Sequence, residues 1–99
     1  MVKEINQDEF ANVVKGKKVF VDCYAPWCGP CKMLAPIVDM VSEEITNYEF
    51  YKINVDEAPK VASQFGIMSI PTLLIFENGT KVNQITGFMS KEELEDILK

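Results

Sequence analysis

The segment from Lys18 to Tyr24 restricts the fold more than any other part of the sequence. It reads Lys-Val-Phe-Val-Asp-Cys-Tyr, is rich in β-branched and aromatic residues, and shows almost no alternation of polar and apolar positions. This pattern predicts a strand buried on both faces, because a strand with one wet face would alternate. The rest of the chain must then cover both sides of a sheet.

Helical and extended patterns alternate around that strand. Asn78-Gly79 between two apolar runs predicts a hairpin, since both residues tolerate the positive φ of a tight turn. Ser90 with Glu93 predicts the capping box of a last helix. We predict further strands at 2–5, 49–55, 72–76 and 81–86, and helices at about 6–15, 28–45, 59–65 and 90–98. The order β-α-β-α-β-α-β-β-α indicates an α/β fold, a central mixed sheet flanked by helices on both faces, with residues 1–99 as one domain.

Composition excludes several classes of protein. The net charge is −5 and all ten basic residues are lysine, so no arginine is available for phosphates or guanine edges, and we expect no binding to nucleic acid. No apolar run approaches the ~20 residues of a membrane span. The N-terminus lacks the pattern of a signal peptide, and we therefore expect a reducing cytoplasm.

Cys28 and Cys31 lie between the buried strand and the start of a helix. A spacing of three places both sulfurs on one side of the first turn, close enough for a disulfide. Cys28 is expected at the exposed helix start, where amide N–H groups and the helix dipole favour a thiolate, the nucleophile of disulfide exchange. Cys31 is expected to be covered, one turn deeper, and to attack the mixed disulfide. The chain has no histidine and Pro30 offers no N–H to the sulfur, which favours a reductant.

Other interpretations of the three cysteines are a metal site and an inert core position. A closed structural zinc site needs four protein ligands, and the chain has neither a second CxxC motif nor a histidine. We therefore expect no metal and no cofactor beyond a redox-active Cys28–Cys31 disulfide. Cys23 is interpreted as a core thiol that points away from the face of Asp22, with an alternative disulfide partner as the competing interpretation.

Two charged residues fall within apolar strands. Asp22 lies in the middle of the most apolar segment, so its pKa should be raised unless it is paired. It could accept the proton of Cys31, directly or through a water, or be an ordinary polar residue on an edge strand or at a strand end. Lys52 begins an apolar run on the strand expected beside it. It could pair with Asp22 and tune it, or be a surface lysine whose stem alone is buried.

Four motifs in order resemble the thioredoxin family over about residues 5–98. They are Trp27-Cys28-Gly29-Pro30-Cys31-Lys32, the Asp22 strand 21–25, the Lys52 segment 52–56 and the loop 66–72 that ends in Ile70-Pro71-Thr72, with Gly79 and Gly87 at glycine positions of the family. The sequence departs from the family at Cys23 and Tyr24, where phenylalanine and tryptophan are usual.

The resemblance implies a thioredoxin fold and a cis bond between Ile70 and Pro71. It also implies an apolar groove around Cys28 that binds an extended substrate, formed by Trp27, Gly29, Pro30, Ile70, Pro71 and Gly87. Taken alone, Trp27 could also be a core residue. The implied activity is reduction of client disulfides by a protein-disulfide oxidoreductase that a separate thioredoxin reductase regenerates. We expect a monomer. A redox-independent binding module and an oxidase or isomerase are the competing functions.

Overall fold

The computed structural model describes residues 1–99, and its elements follow the predicted order. The strands are β1 (Val2–Ile5), β2 (Lys18–Tyr24), β3 (Glu49–Asn54), β4 (Thr72–Glu77) and β5 (Thr80–Thr86). The helices are α1 (Gln7–Val13), α2 (Gly29–Glu44), α3 (Pro59–Gln64) and α4 (Lys91–Leu98). None of these helices combines the length and the apolarity needed to cross a bilayer.

The five strands form one mixed sheet in the order β1-β3-β2-β4-β5. β3 pairs in parallel with β1 and β2, whereas β4 pairs antiparallel with β2 and β5. β2 is therefore central, and every residue from Val19 to Cys23 is at most 4% exposed, which confirms the prediction of a strand buried on both faces. The predicted mixed sheet with helices on both faces is confirmed.

Two cores lie on opposite faces of the sheet. One joins Phe10 of α1 and Val61 of α3 to alternate β2 residues, including Cys23. The other joins α2 and α4 to Phe20 of β2, and its buried helical residues are Leu34, Val38, Val41, Leu94 and Leu98. Since side chains alternate along a strand, Asp22 shares the α2 face with Phe20, and Cys23 points to the other side.

The turn and cap signals are confirmed. Asn78 and Gly79 adopt φ of 53° and 85° in the β4–β5 hairpin, and Ser90 forms a capping box with Glu93. Asn6 forms a second capping box, at the start of α1.

Several boundaries differ from the predictions by one or two residues, and local hydrogen bonds explain two of these differences. α1 ends at Val13 rather than near Lys15, because the N–H groups of Lys15 and Gly16 bond three residues back instead of four. β3 ends at Asn54 because a 3₁₀ turn (Val55–Glu57) follows, in which the Asn54 side chain accepts from the Asp56 N–H.

Candidate active site

The junction between β2 and α2 positions the two cysteines. Cys28 is the N-cap of α2, and its Sγ accepts a hydrogen bond from the Cys31 N–H at 3.2 Å. Pro30 falls in the first helical turn, where a missing N–H leaves no bond unmade. One N–H group that the helix start leaves without a backbone partner, that of Cys31, therefore donates to the Cys28 sulfur, which favours the anionic form of that sulfur.

The sulfurs of Cys28 and Cys31 are bonded to each other, with their Cα atoms 5.3 Å apart. The structure thus holds the oxidised state of a dithiol–disulfide couple. Breaking this bond with two electrons and two protons would give two thiols on one turn of α2, the one at the helix start better placed to ionise.

The expected exposure is confirmed for Cys31 and wrong for Cys28. Cys31 is 4% exposed, which confirms that it is covered, but Cys28 is also only 4% exposed. The expectation of an exposed Cys28 is wrong for the disulfide form, because its sulfur bonds Cys31 and also lies 3.7 Å from the Ile70 carbonyl oxygen. Because Cys28 itself is nearly covered, access to its sulfur is narrow. Its neighbours Gly29 and Pro30 are exposed, so a client would approach the sulfur over their surface.

Two loops meet at the disulfide. The Ile70–Pro71 bond is cis, as the resemblance implies. The carbonyl of Pro71 accepts a 2.8 Å hydrogen bond from the Gly87 N–H, which ties the loop after β5 to the loop before β4. Ile70 and Gly87 are half-buried and Pro71 is buried. Of the six predicted groove residues, Pro71 therefore offers the least surface to a substrate.

Trp27 stands at the surface beside Cys28. It is 70% exposed, so the interpretation as a core residue is wrong. Its indole Nε1 donates to Asp56 Oδ2 at 2.8 Å. This hydrogen bond restrains the indole ring, although most of the ring surface is not packed against other side chains. Asp56 was not among the predicted site residues, since nothing in the spacing of residues 27 and 56 signals this contact.

Two further apolar side chains flank the loops of the site. Met68, two residues before Ile70, is 96% exposed, and Phe88, directly after Gly87, is 47% exposed. Neither was among the predicted groove residues, although each lies close in sequence to one of them.

Asp22 is buried near the disulfide. It is 4% exposed and lies within β2, so the interpretation as a residue at a strand end is wrong. Its Oδ1 has no hydrogen-bond partner. Burial raises its pKa from 3.8 to about 7; the charge of Lys52 opposes this rise, and those of Asp39 and Glu4 add to it. A carboxyl group of this kind exchanges a proton near neutral pH.

Lys52 and Asp22 are register partners on β3 and β2, so the predicted neighbourhood is confirmed. Lys52 is half-buried and forms no ion pair, so it acts on Asp22 through its field and not through a direct salt bridge. Both residues line a pocket of about 180 Å³ that also reaches Cys31. The pocket is polar at Asp22 and Lys52 and is large enough for water.

Cys23 lies apart from this chemistry. It is fully buried, unpaired and part of the α1–α3 core, as the interpretation of a core thiol requires. Burial, with a smaller contribution from the charge of Asp22, raises the pKa of its thiol far above the ordinary value. No group of three or more His, Cys, Asp or Glu side chains is arranged to hold a metal ion.

Known proteins with this arrangement identify the family. The thioredoxin family model matches residues 1–99. The chain belongs to the thioredoxin family. It is 39% identical to a thioredoxin of Chlamydia muridarum, over 99% of this chain and 96% of that one. It is 49% identical to thioredoxin 1 of Nostoc sp., over 82% of this chain and 77% of that one.

A solved structure supports the same family. A point mutant of a thioredoxin from Halobacterium salinarum superposes with a TM-score of 0.90 at 36% identity, covering 97% of this chain and 86% of that one. As a thioredoxin, the chain is a protein-disulfide oxidoreductase, and its Cys28–Cys31 disulfide is the redox couple. Thioredoxins use this disulfide of their own instead of a bound cofactor.

Proposed function

We propose that this thioredoxin reduces disulfide bonds of client proteins in the cytoplasm, as a monomer of one domain over residues 1–99, without a metal or added cofactor. A thioredoxin reductase returns it to the dithiol form. The observation that carries the proposal is the disulfide between the N-cap of α2 and the third residue of that helix. The buried free thiol of Cys23 is compatible with a reducing compartment.

In the reduced protein, the Cys28 thiolate attacks one sulfur of a client disulfide. A mixed disulfide forms and the other client sulfur leaves as a thiolate, which takes up a proton. The Cys31 thiol then loses its proton, attacks Sγ of Cys28 and releases the second client thiolate. Two electrons pass to the client, and the protein ends with the Cys28–Cys31 bond seen in the structure.

The Cys31 N–H and the N-terminus of α2 stabilise the anionic form of Cys28. The hydrogen bond of 3.2 Å is donated to the sulfur that must carry the charge. A helix dipole adds about 0.3–1 kcal/mol at such a position, and more where the site is partly buried. This arrangement supports Cys28 as the attacking group and Cys31 as the resolving group.

Asp22 is the proposed acceptor of the Cys31 proton. It lines the pocket that Cys31 also lines, and no other hydrogen bond occupies its Oδ1. A general base works best when its pKa lies near the working pH, which a pKa of about 7 satisfies. Lys52 limits the rise in this pKa, so a useful fraction of Asp22 remains ionised at neutral pH.

The client is proposed to bind as an extended segment along the loop before β4. The Ile70 backbone lies beside Cys28 and can form strand-like hydrogen bonds with such a segment. Trp27, Gly29, Pro30 and Gly87 supply accessible surface, whereas Pro71 is buried and accepts the hydrogen bond from the Gly87 N–H. A shallow surface of this kind holds the client mainly through the mixed disulfide, so the reduced client leaves once that bond is broken.

Insulin reduction with dithiothreitol tests the proposal. Cys28→Ser should abolish the activity, Cys31→Ser should accumulate mixed disulfides with the client, and Asp22→Asn should slow turnover with the fold intact. Cys23→Ala is the matched control, because it removes the remaining thiol without touching the couple. Normal reduction by Cys28→Ser would refute the mechanism, and equal client retention by the Cys28→Ser/Cys31→Ser variant would favour a binding module.

Equilibration with a glutathione buffer tests the direction of the reaction. In a buffer with a cytosol-like ratio of reduced to oxidised glutathione, a reductant passes its electrons to glutathione and should be mostly in the disulfide form. An oxidant in the same buffer should be mostly in the dithiol form. A protein that stays mostly reduced would be an oxidase or isomerase.

A further inference from the structure

A row of three charged residues crosses the sheet beside the active-site pocket. Glu4 of β1 pairs in register with Lys52 of β3, and Lys52 pairs in register with Asp22 of β2. Register partners on adjacent strands project to the same face. Lys52 therefore lies between two carboxylates, one exposed and one buried, and forms an ion pair with neither.

Tyr24 bridges this row. It follows Asp22 by two residues on β2 and so projects to the same face. Its hydroxyl donates to the Glu4 carboxylate, 2.7 Å from each oxygen, although β3 lies between their strands. The two strands are about 10 Å apart, so the side chains of Tyr24 and Glu4 together span β3. The Lys52 Nζ lies 6.0 Å from the centre of the Tyr24 ring.

The bridge forms part of the wall of the pocket that contains Asp22 and Cys31. Tyr24 and Lys52 both line that pocket. Burial and the hydrogen bond to Glu4 raise the pKa of Tyr24 above its ordinary value of 10.0, so its hydroxyl remains a donor well into the alkaline range. While Glu4 accepts from Tyr24, its carboxylate is held away from an ion pair with Lys52, and the field of Lys52 remains available to Asp22.

We propose that the Tyr24–Glu4 hydrogen bond is a positioning device that keeps Lys52 beside Asp22 and thereby sets how readily Asp22 accepts the proton of Cys31. The inference rests on the proposed function of Asp22. The groups that act on Asp22 are Lys52 from β3, Glu4 from β1 and Asp39 from α2. Tyr24 and Glu4 are positioning residues, since neither bonds to the reacting atoms.

The proposal predicts opposite effects for two mild substitutions. Tyr24→Phe keeps the ring but frees Glu4, which then pairs with Lys52, its register partner, and draws the cation from Asp22. The titration midpoint of Asp22 should rise by roughly half a pH unit. Glu4→Gln keeps a hydrogen-bond acceptor but removes a negative charge, so the midpoint should fall by a similar amount. In the double variant, Tyr24→Phe should add little, because no charged competitor for Lys52 remains.

Two measurements test these shifts. NMR titration of oxidised protein carrying ¹³C-labelled aspartate carboxyls gives the Asp22 midpoint directly, with Asp22→Asn assigning the signal. The pH profile of insulin reduction gives the same midpoint during turnover. Tyr51→Phe is the matched control, because the Tyr51 hydroxyl also donates to a glutamate, Glu49, at 3.1 Å, but lies on the opposite face of the sheet.

Opposite shifts for Tyr24→Phe and Glu4→Gln, with no shift for Tyr51→Phe, would support the proposal. Added salt should also shrink the Glu4→Gln shift, since Glu4 is exposed. Equal Asp22 midpoints in all variants would overturn it. A shift by NMR without a shift in the activity profile would overturn its catalytic part and remove Asp22 as the proton acceptor. The loss of insulin reduction expected for Cys28→Ser does not depend on these outcomes, so the proposed function and this inference can fail separately.

Discussion

Replacing Asp22 with asparagine should stabilise the oxidised protein, and the gain should grow with pH. Asp22 is 4% exposed, has an unpartnered oxygen and forms no salt bridge, so its charged form is costly to bury. Asparagine has nearly the same shape as the protonated acid but never ionises. The substitution therefore removes the cost of the charge and changes the packing little.

The sign and size follow from proton linkage. The pKa of Asp22 rises from 3.8 to about 7 on folding, so between these values the folded state keeps a proton that the unfolded chain has lost. Stability of the native protein then falls by about 1.4 kcal/mol for each unit of pH across the window. A rise of about three units in this pKa lowers the free energy of unfolding by about 4 kcal/mol in total. This loss of stability is complete above about pH 7 and absent below about pH 4.

Denaturant unfolding of oxidised protein at about pH 4 and about pH 8 measures this difference. The advantage of Asp22→Asn over the native chain should be about 4 kcal/mol larger at the higher pH. Asp96→Asn, at an exposed position of α4, is the control and should show no such change. An advantage that is equal at the two values of pH would refute a raised pKa at Asp22, and with it the argument for Asp22 as a base.

The order of elements could be predicted because each depends on short-range signals. The apolar run of β2, the Asn78-Gly79 turn and the Ser90 capping box are written in adjacent residues, and the structure confirms all three. The ends of α1 and β3 were less accurate. They are set by competition between alternative hydrogen bonds, such as those of Gly16, which leave no pattern in the sequence.

The candidate site was predictable where it depends on one stretch of chain. Cys28 and Cys31 share a helical turn, so their spacing alone predicted their contact. Apart from the neighbouring strands of Asp22 and Lys52, contacts across the sheet or between loops could not be predicted from the sequence. The bond from Trp27 to Asp56 joins residues 29 positions apart, and that from Tyr24 to Glu4 spans a third strand. Low exposure of Cys28 was missed for the same reason, since Ile70 of a distant loop lies against it.

Three further predictions test the scaffold of the site. Ser90→Ala should destabilise the protein by about 1 kcal/mol in denaturant unfolding, because the Glu93 N–H at the start of α4 loses its acceptor; an unchanged midpoint would contradict the cap. Cys23 should resist iodoacetamide in the reduced native protein and react once the chain is unfolded, since burial raises its pKa; mass spectrometry showing equal labelling of Cys23 and Cys28 would contradict this. Gly87→Ala should cost about 1–3 kcal/mol, because φ is +108° there and no neighbouring atom lies within 4 Å of an added Cβ, so the cost comes from the backbone alone. The Gly87 N–H donates to the Pro71 carbonyl, so relief of that strain should move the loop beside Cys28. Gly87→Ala should therefore lower the rate of insulin reduction as well as the stability. A loss of stability with an unchanged rate would contradict this movement of the loop.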